Sequence, residues 1–262
     1  MIANLEAYGL GNNSLRRLYS YLNGRKHRVH LSHFFSGWLI ANLGVPQGSV
    51  LGPILFNSFI NDIFIIFDGK TICNFADDNT PYVCGPSLDY VIKSLQTTLS
   101  DVLKWCKYNS LVANPAKFQF ILPGSPNIDI SIEVNGQCIT NSKVVKLLGI
   151  LIDDKLTFYP HIQDISKKAG NKIKALLRIR NLLSQSRSDI LFNSFICSYF
   201  NCCPLVWIFC SKPAHDLLDK VHFRSLKARF LCFQTSFEDL LHRANSVTIH
   251  DRNLTLVLFE VF

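Results

Sequence analysis

The chain has 262 residues, 48% of them hydrophobic and 18% charged, which excludes a disordered chain and supplies enough apolar surface for one large core or two smaller ones. A net charge of +8, with a basic excess on both sides of Ser125, points to a polyanionic partner. Nine cysteines without framework spacing, in a chain that shows no signal peptide, make reduced thiols in an intracellular compartment, nucleus or cytoplasm, the default expectation.

Leu5 to Leu22 reads as a helix interrupted near Gly9 and Gly11. After the Asn23-Gly24 break, Arg25, Lys26 and Arg28 precede an expected strand pair, Val29–His33 with Trp38–Leu43. Three cations in four residues are usually a wet surface, with a phosphate contact as the alternative. Gly44 to Pro53, GVPQGSVLGP, reads as a loop whose backbone comes close to something, with Pro53 opening a helix at its first position. From Ile54 to Phe67 the polar Asn57, Ser58, Asn61 and Asp62 share one stripe, so this helix is expected to be largely buried.

The helix leads into Thr71 to Gly85, TICNFADDNTPYVCG, two short strand-like runs divided by Asp77, Asp78 and Asn79. That pattern predicts a β-hairpin with the acids at its tip. Read alone, the pair is either a solvated turn or a metal site. Adjacent carboxylates repel, and hard oxygen donors favour Mg²⁺ or Mn²⁺ as the compensating cation.

Taken together, Gly44 to Pro53 and Phe75 to Asp78 closely resemble motifs B and C of the reverse transcriptases of non-LTR (LINE-type) retrotransposons. The resemblance implies an α+β fold, a right-hand polymerase palm with a mixed sheet backed by helices, followed by a helical thumb. It implies that Asp77 and Asp78 ligate two Mg²⁺ or Mn²⁺ ions. Gln47 and Gly48 would line the nucleotide and template pocket, and Phe75 would lie under the primer end. The partners implied are an RNA template, a DNA primer and deoxynucleoside triphosphates, with no membrane and no stable protein partner.

Downstream, Leu88, Ile92, Leu95, Leu99, Val102 and Cys106 have helical spacing, with Ser87 placed as the cap. Asn114 to Lys117 before an expected strand Phe118–Leu122 is similar to motif D, which would put Lys117 at the departing pyrophosphate; Ala116 stands where family members often carry an acid. Ile128–Val134, Asn135-Gly136 and Gln137–Ile139 predict a hairpin. Lys146 to Asp153 is similar to motif E, the strand pair gripping the primer, with Asp153 and Asp154 marking a turn.

Beyond Pro160 the pattern is helical. His161 to Leu183 places Ile162, Ile165, Ala169, Ile173 and Leu176 on one face, and no acid occurs between Ile165 and Ser188. Lys167, Lys168, Lys172, Lys174, Arg178, Arg180 and Arg187 therefore predict a solvated basic face or a helix along a nucleic-acid backbone; by resemblance this is the thumb, with Lys167, Lys168, Lys172 and Arg178 as backbone contacts. An apolar helix from Ile190 and a basic one from Asp216 to Phe230 continue it. The uncharged run Ile190–Cys210 is long enough to raise a membrane span, but Asn193, Asn201 and Pro204 favour a core. Cys202, Cys203, Cys210, His215 and His222 raise a zinc site, although the His spacing does not match a finger.

The expected organisation is a partial palm over 1–154 and a thumb-like region over 155–262. The family's third metal carboxylate, in motif A, belongs before Leu5, and Leu254–Phe262 reads as a cut helix. The expectation is therefore an RNA-directed DNA polymerase by descent, inactive as this chain alone, or a vestigial or nucleic-acid-binding piece without catalysis.

Overall fold

A computed structural model describes all residues except 42, 68–70, 125–127, 209 and 262, together with the side chains of all but a few more. The chain forms two compact units, 1–116 with 132–138, and 117–131 with 139–262.

In the first unit, α1 (Ile2–Ala7) and α2 (Asn12–Leu22) flank the expected glycine break, and Gly9 takes φ +88° in it. Leu5 and Leu15 bury against Leu55 of α3 (Leu51–Ile60). A double-paired ribbon follows: β1 (Arg25–His27) pairs with β4 (Leu39–Ala41), and within it β2 (His30–Leu31) pairs with β3 (Phe34–Phe35). The expected pairing is thus shifted toward the basic residues, because Ser32 takes φ +52° to reverse the chain and Ser36 accepts from the Val29 amide at 2.8 Å.

Helix α3 starts two residues before Pro53, so the proline is not its first residue. A turn at Asn61-Asp62 separates α3 from α4 (Ile63–Ile66), and the expected burial is only partial: Ile60, Ile63 and Phe67 are core, whereas Ile54, Phe64 and Ile65 are exposed. Next come β5 (Thr71–Phe75), β6 (Asp78–Tyr82) and α5 (Leu88–Tyr108). Ser87 caps α5 by accepting from the Tyr90 amide, and Val102 and Trp105 of α5 pack with Ile60, Ile63, Phe67 and Ile72. This core supports the underside of the β5–β6 hairpin.

No strand forms over Phe118–Leu122 among the described residues. Its polar groups instead bond singly: Phe120 accepts from the Ser142 amide at 2.9 Å and the Gln119 side chain accepts from Lys146 N at 3.4 Å. The hairpin of β7 (Ser131–Val134) and β8 (Gln137–Thr140) turns at Asn135 and Gly136, φ +50° and +78°, as Asn-Gly predicts. In the second unit, β9 (Val144–Leu147) pairs with β10 (Ile150–Asp153) through a Leu148-Gly149 turn. Among the described residues every sheet has two antiparallel strands, so the expected mixed sheet is not seen; hydrophobic alternation specifies strands but not which strands meet.

The second unit is otherwise helical: α6 (Tyr159–Ile179), α7 (Gln185–Phe192), a π-helical turn Asn193–Cys197, α8 (Ser198–Phe200), α9 (Pro204–Ile208), α10 (Lys212–Phe230), α11 (Phe237–Ala244) and α12 (Ile249–Val261). Ile162, Ile165, Ala169, Ile173 and Leu176 all enter one core with Phe192, Phe200, Leu218 and Leu226. The described residues of the run Ile190–Cys210 are divided among short helices, from which Phe192, Ile196, Cys197 and Phe200 enter that core while Ile190, Phe195 and Leu205 are exposed, and no described helix is long and apolar enough to cross a membrane.

Candidate active site

The loop before α3 is closed by its own side chains. Ser49 Oγ donates to the Pro46 carbonyl at 2.7 Å and accepts from the Gly52 amide at 3.0 Å, which ties the loop to the first turn of the helix. A Cβ on Gly52 would meet the Pro46 oxygen at 2.9 Å, so glycine is needed for the loop to fold onto the helix. Gly48 takes φ +79°, and Gln47 and Gly48 stand exposed at the loop apex. Arg25 fixes the other end: its guanidinium donates to the Leu22 carbonyl at 2.9 Å and to the Gly44 carbonyl at 2.6 Å. Neither role was legible for Arg25, but Ser49, a Ser just before an apolar run, carries the ordinary signal of a helix cap.

The hairpin shows why its residues alternate. Ile72 faces Pro81 and Asn74 faces Asn79 across the ladder, and this face turns inward, with Ile72 on the core. Phe75 pairs with Asp78 on the other face, so period two places ring and carboxylate side by side and exposed. Asp77 occupies the turn itself, after Ala76 at φ +52°, a left-handed conformation that costs an alanine about 1 kcal/mol. Asn79 Nδ2 holds the turn by donating to the Asp77 carbonyl at 3.2 Å. Among the described residues, neither carboxylate has a hydrogen-bond or ion-pair partner, which leaves both sets of oxygens open.

Such oxygens suit Mg²⁺ or Mn²⁺, which are often held by one or two carboxylates, with water and substrate phosphates completing the shell. Among the described residues no three His, Cys, Asp or Glu side chains gather to enclose a metal. Asp77 and Asp78 therefore fit as one open side of a coordination shell. The cysteine and histidine grouping forms no zinc cage among those residues: His222 is buried against Phe200 and Phe237, and His215 meets His250 edge-on.

Asp62 is structural, accepting from Tyr8 Oη at 3.0 Å and from the Asn4 side chain. Asp153 marks a turn, as expected, and does so from a buried position. Its carboxylate accepts from the amides of Thr157 and Phe158 and from Thr157 Oγ1. Burial pushes this carboxyl up, but the donors outweigh it and hold its pKa below the ordinary value. Its stabilisation is therefore present above the unfolded value of about 4 and lost as pH falls through the lower folded value. Asp153→Asn is expected to cost about 1–3 kcal/mol at pH 7, read as a lowered urea midpoint, with the gap from wild type narrowing at about pH 3.

Lys117 ends a short 3₁₀ turn, Pro115–Lys117, and is exposed in the second unit. On α6, Lys167, Lys168, Lys172, Lys174 and Arg178 are exposed opposite the buried face. Two expectations there need correction. Arg180 is buried, donating to the Arg229 and Leu183 carbonyls and to Gln185, so it belongs to the fold. Lys168 pairs with Asp164 at 2.6 Å, so an acid one turn upstream offsets part of the basic face. Lys172 lies 5.6 Å from the Phe195 ring.

The chain belongs to the reverse transcriptase (RNA-dependent DNA polymerase) family, which matches it over residues 5–152. This stretch contains the Gly44–Pro53 loop and the carboxylate hairpin, so the resemblance read from those residues is borne out. The chain is 28% identical over 202 residues to the probable RNA-directed DNA polymerase from transposon BS of Drosophila melanogaster, covering 73% of this chain and 22% of that protein. It is 28% identical over 188 residues to the RNA-directed DNA polymerase from mobile element jockey of the same organism, covering 68% and 20%. The X-element polymerase is similar at 27% over 191 residues, covering 68% and 21%. The chain thus spans about a fifth of the length of these relatives. No solved structure matches it.

Proposed function

We propose that the chain is the palm and thumb portion of an RNA-directed DNA polymerase of a non-LTR retrotransposon, with residues 1–154 as palm and 155–262 as thumb. The observation that carries this reading is the exposed pair Asp77 and Asp78 at a tight hairpin turn, without a side-chain partner among the described residues and inside the stretch matched by the reverse transcriptase family. The substrates are an RNA template, a DNA primer and deoxynucleoside triphosphates.

Asp77 and Asp78 would hold Mg²⁺ or Mn²⁺, which when bound activates the primer 3′-hydroxyl and neutralises the triphosphate. Phe75, beside Asp78, offers a ring for the primer end. Gln47 and Gly48 present a loop apex to the nucleotide and template, and a residue without a side chain at 48 lets the backbone approach closely. Lys117 supplies a cation for pyrophosphate.

The test is template-directed incorporation of labelled dTTP on an RNA-templated DNA primer by a chimera in which this chain replaces the matching segment of the jockey polymerase. Incorporation is expected. A soluble chimera that binds primer-template yet incorporates nothing would overturn the polymerase reading.

Lys167, Lys168, Lys172 and Arg178 would track the nucleic-acid backbone. Changing Lys168, Lys172 and Arg178 to Gln is expected to weaken RNA–DNA duplex binding by the chain without regard to sequence. It should also lower the slope of log affinity against log salt by roughly one unit for each phosphate no longer neutralised. Lys168 contributes least to that change because Asp164 already pairs with it. Salt-titrated binding of wild type and variant measures both.

A further inference from the structure

From Ala7 to Asn61 the sequence contains no Asp or Glu, while Arg16, Arg17, Arg25, Lys26 and Arg28 fall inside that stretch. Three of these cations lie on or beside the ribbon built from β1 to β4. The ribbon carries an unusual load of exposed rings: Phe34 is 80% exposed, Trp38 60% and Phe35 53%. Arg25 is committed to the Leu22 and Gly44 carbonyls and so roots the ribbon, whereas Lys26 and Arg28 are exposed.

The aromatic side chains are ordered around one guanidinium. Arg28 lies 3.8 Å from the Phe35 ring centroid and 4.6 Å from that of Trp38, and the His30 ring stacks on Phe35 at 4.1 Å with 7° between planes. A guanidinium laid on a ring face keeps its N–H edge free for a phosphate and is held in place by the ring. Exposed apolar surface of this extent marks an interaction site. Two features narrow the occupant. An acid-free neighbourhood selects an anion, and ring faces beside cations select one that also offers planar groups.

We propose that the ribbon Arg25–Ala41 is a platform for single-stranded nucleic acid, with Lys26 and Arg28 on phosphates and bases stacking on Phe34 and Trp38. The proposal goes beyond the hairpin carboxylates and rests on the polymerase reading only for the strand's origin, an unpaired segment of template. Sequence preference is weak, because every base has a face to stack.

The test titrates the chain with a uridine 12-mer, a thymidine 12-mer and an RNA–DNA duplex, following anisotropy of the labelled strand and tryptophan emission. Of the three tryptophans Trp38 is exposed and Trp105 buried, and the part of a quench that a Trp38→Ser variant loses reports stacking at Trp38. Single strands are expected to quench emission. Phe34→Ser with Trp38→Ser is expected to remove the quench and weaken single-strand binding about tenfold or more, while duplex binding changes little. Arg28→Lys, which keeps the charge but not the flat stack, is expected to weaken binding less than the double ring variant. The Lys168, Lys172 and Arg178 to Gln variant serves as the contrast, losing duplex affinity while keeping the quench.

Single-strand affinity unchanged in the folded ring variant overturns the platform. If the contrast variant still loses duplex affinity, the polymerase reading stands without it. Loss of single-strand binding in the ring variant with no loss in the contrast variant supports the platform and counts against the α6 backbone contacts. A ring variant that changes only the sedimentation of the chain, or only its binding of an acidic peptide, assigns the ribbon to a protein partner and overturns the proposal.

Discussion

Replacing Asp77 by Asn in the chimeric polymerase is expected to lower primer extension by about three orders of magnitude or more while leaving primer-template affinity within about twofold. The size follows from what a carboxylate ligand does: metal stabilisation of transition-state charge is worth several kcal/mol, and each 1.36 kcal/mol is about tenfold in rate. The selectivity follows from the structure. The Asp77 side chain has no partner in the hairpin among the described residues, and Asn79 holds the turn through the Asp77 backbone carbonyl, so the substitution leaves the fold in place. On the proposed reading, affinity for primer-template comes mainly from cations elsewhere and is not spent on the transition state. Asp78→Asn is expected to behave alike. Parallel loss of binding and extension in either variant would remove the metal-ligand assignment.

The largest stability effect is expected at Phe200. Its side chain is 1% exposed, at the end of α8, and shares the core of the second unit with Ile162, Ile196 and Leu218. Its ring lies 6.1 Å from that of His222, which burial, aided by the nearby Arg252 charge, pushes down to about 4 and so keeps neutral at pH 7. Phe200→Ala removes a large apolar side chain and leaves a cavity that the π-helical turn Asn193–Cys197 and α10 collapse into only partly. The expected cost is about 3–5 kcal/mol, equivalent to a fall of roughly 10 °C in the melting temperature. Amide hydrogen exchange locates it: protection should drop across α6 and α10 and remain in α3 and α5. Unchanged protection in α6 and α10 would contradict the packing described.

The parts of this fold that were legible from sequence are those fixed by local rules. Ser87 capping α5, the Asn135-Gly136 turn and the buried stripe of α6 each follow from neighbours within a few residues. The carboxylate hairpin was legible for the same reason, since two short strand-like runs around a polar tip specify the strands and the turn, though not that Phe75 lies on the exposed face. What escaped was decided by distant partners. The ribbon pairs Arg25 with Ala41 because a turn at Ser32 and the Ser36 hydroxyl set the register, which hydrophobicity alone does not encode. Phe118–Leu122 has strand composition but finds no ladder partner among the described residues. Arg180 looked like one more cation in a basic run, and the carbonyls of Leu183 and Arg229 with the Gln185 side chain explain its burial. Asp77, Asp78, Gln47 and Gly48 were singled out as candidates by their motifs and Ser49 carries the signal of a cap, whereas Arg25 holds the loop through the Leu22 and Gly44 carbonyls, which no spacing reveals.

The central claim, that Asp77 and Asp78 hold the catalytic metal, is tested most directly by Mn²⁺ titration of the isotopically labelled chain with an RNA–DNA duplex and a deoxynucleoside triphosphate present. Paramagnetic broadening should appear first at the amides of Phe75 to Asn79 and disappear from them in the Asp77→Asn, Asp78→Asn double variant. Broadening that begins elsewhere, at Asp153 and Asp154 for example, or that persists at the hairpin in the double variant, would contradict it.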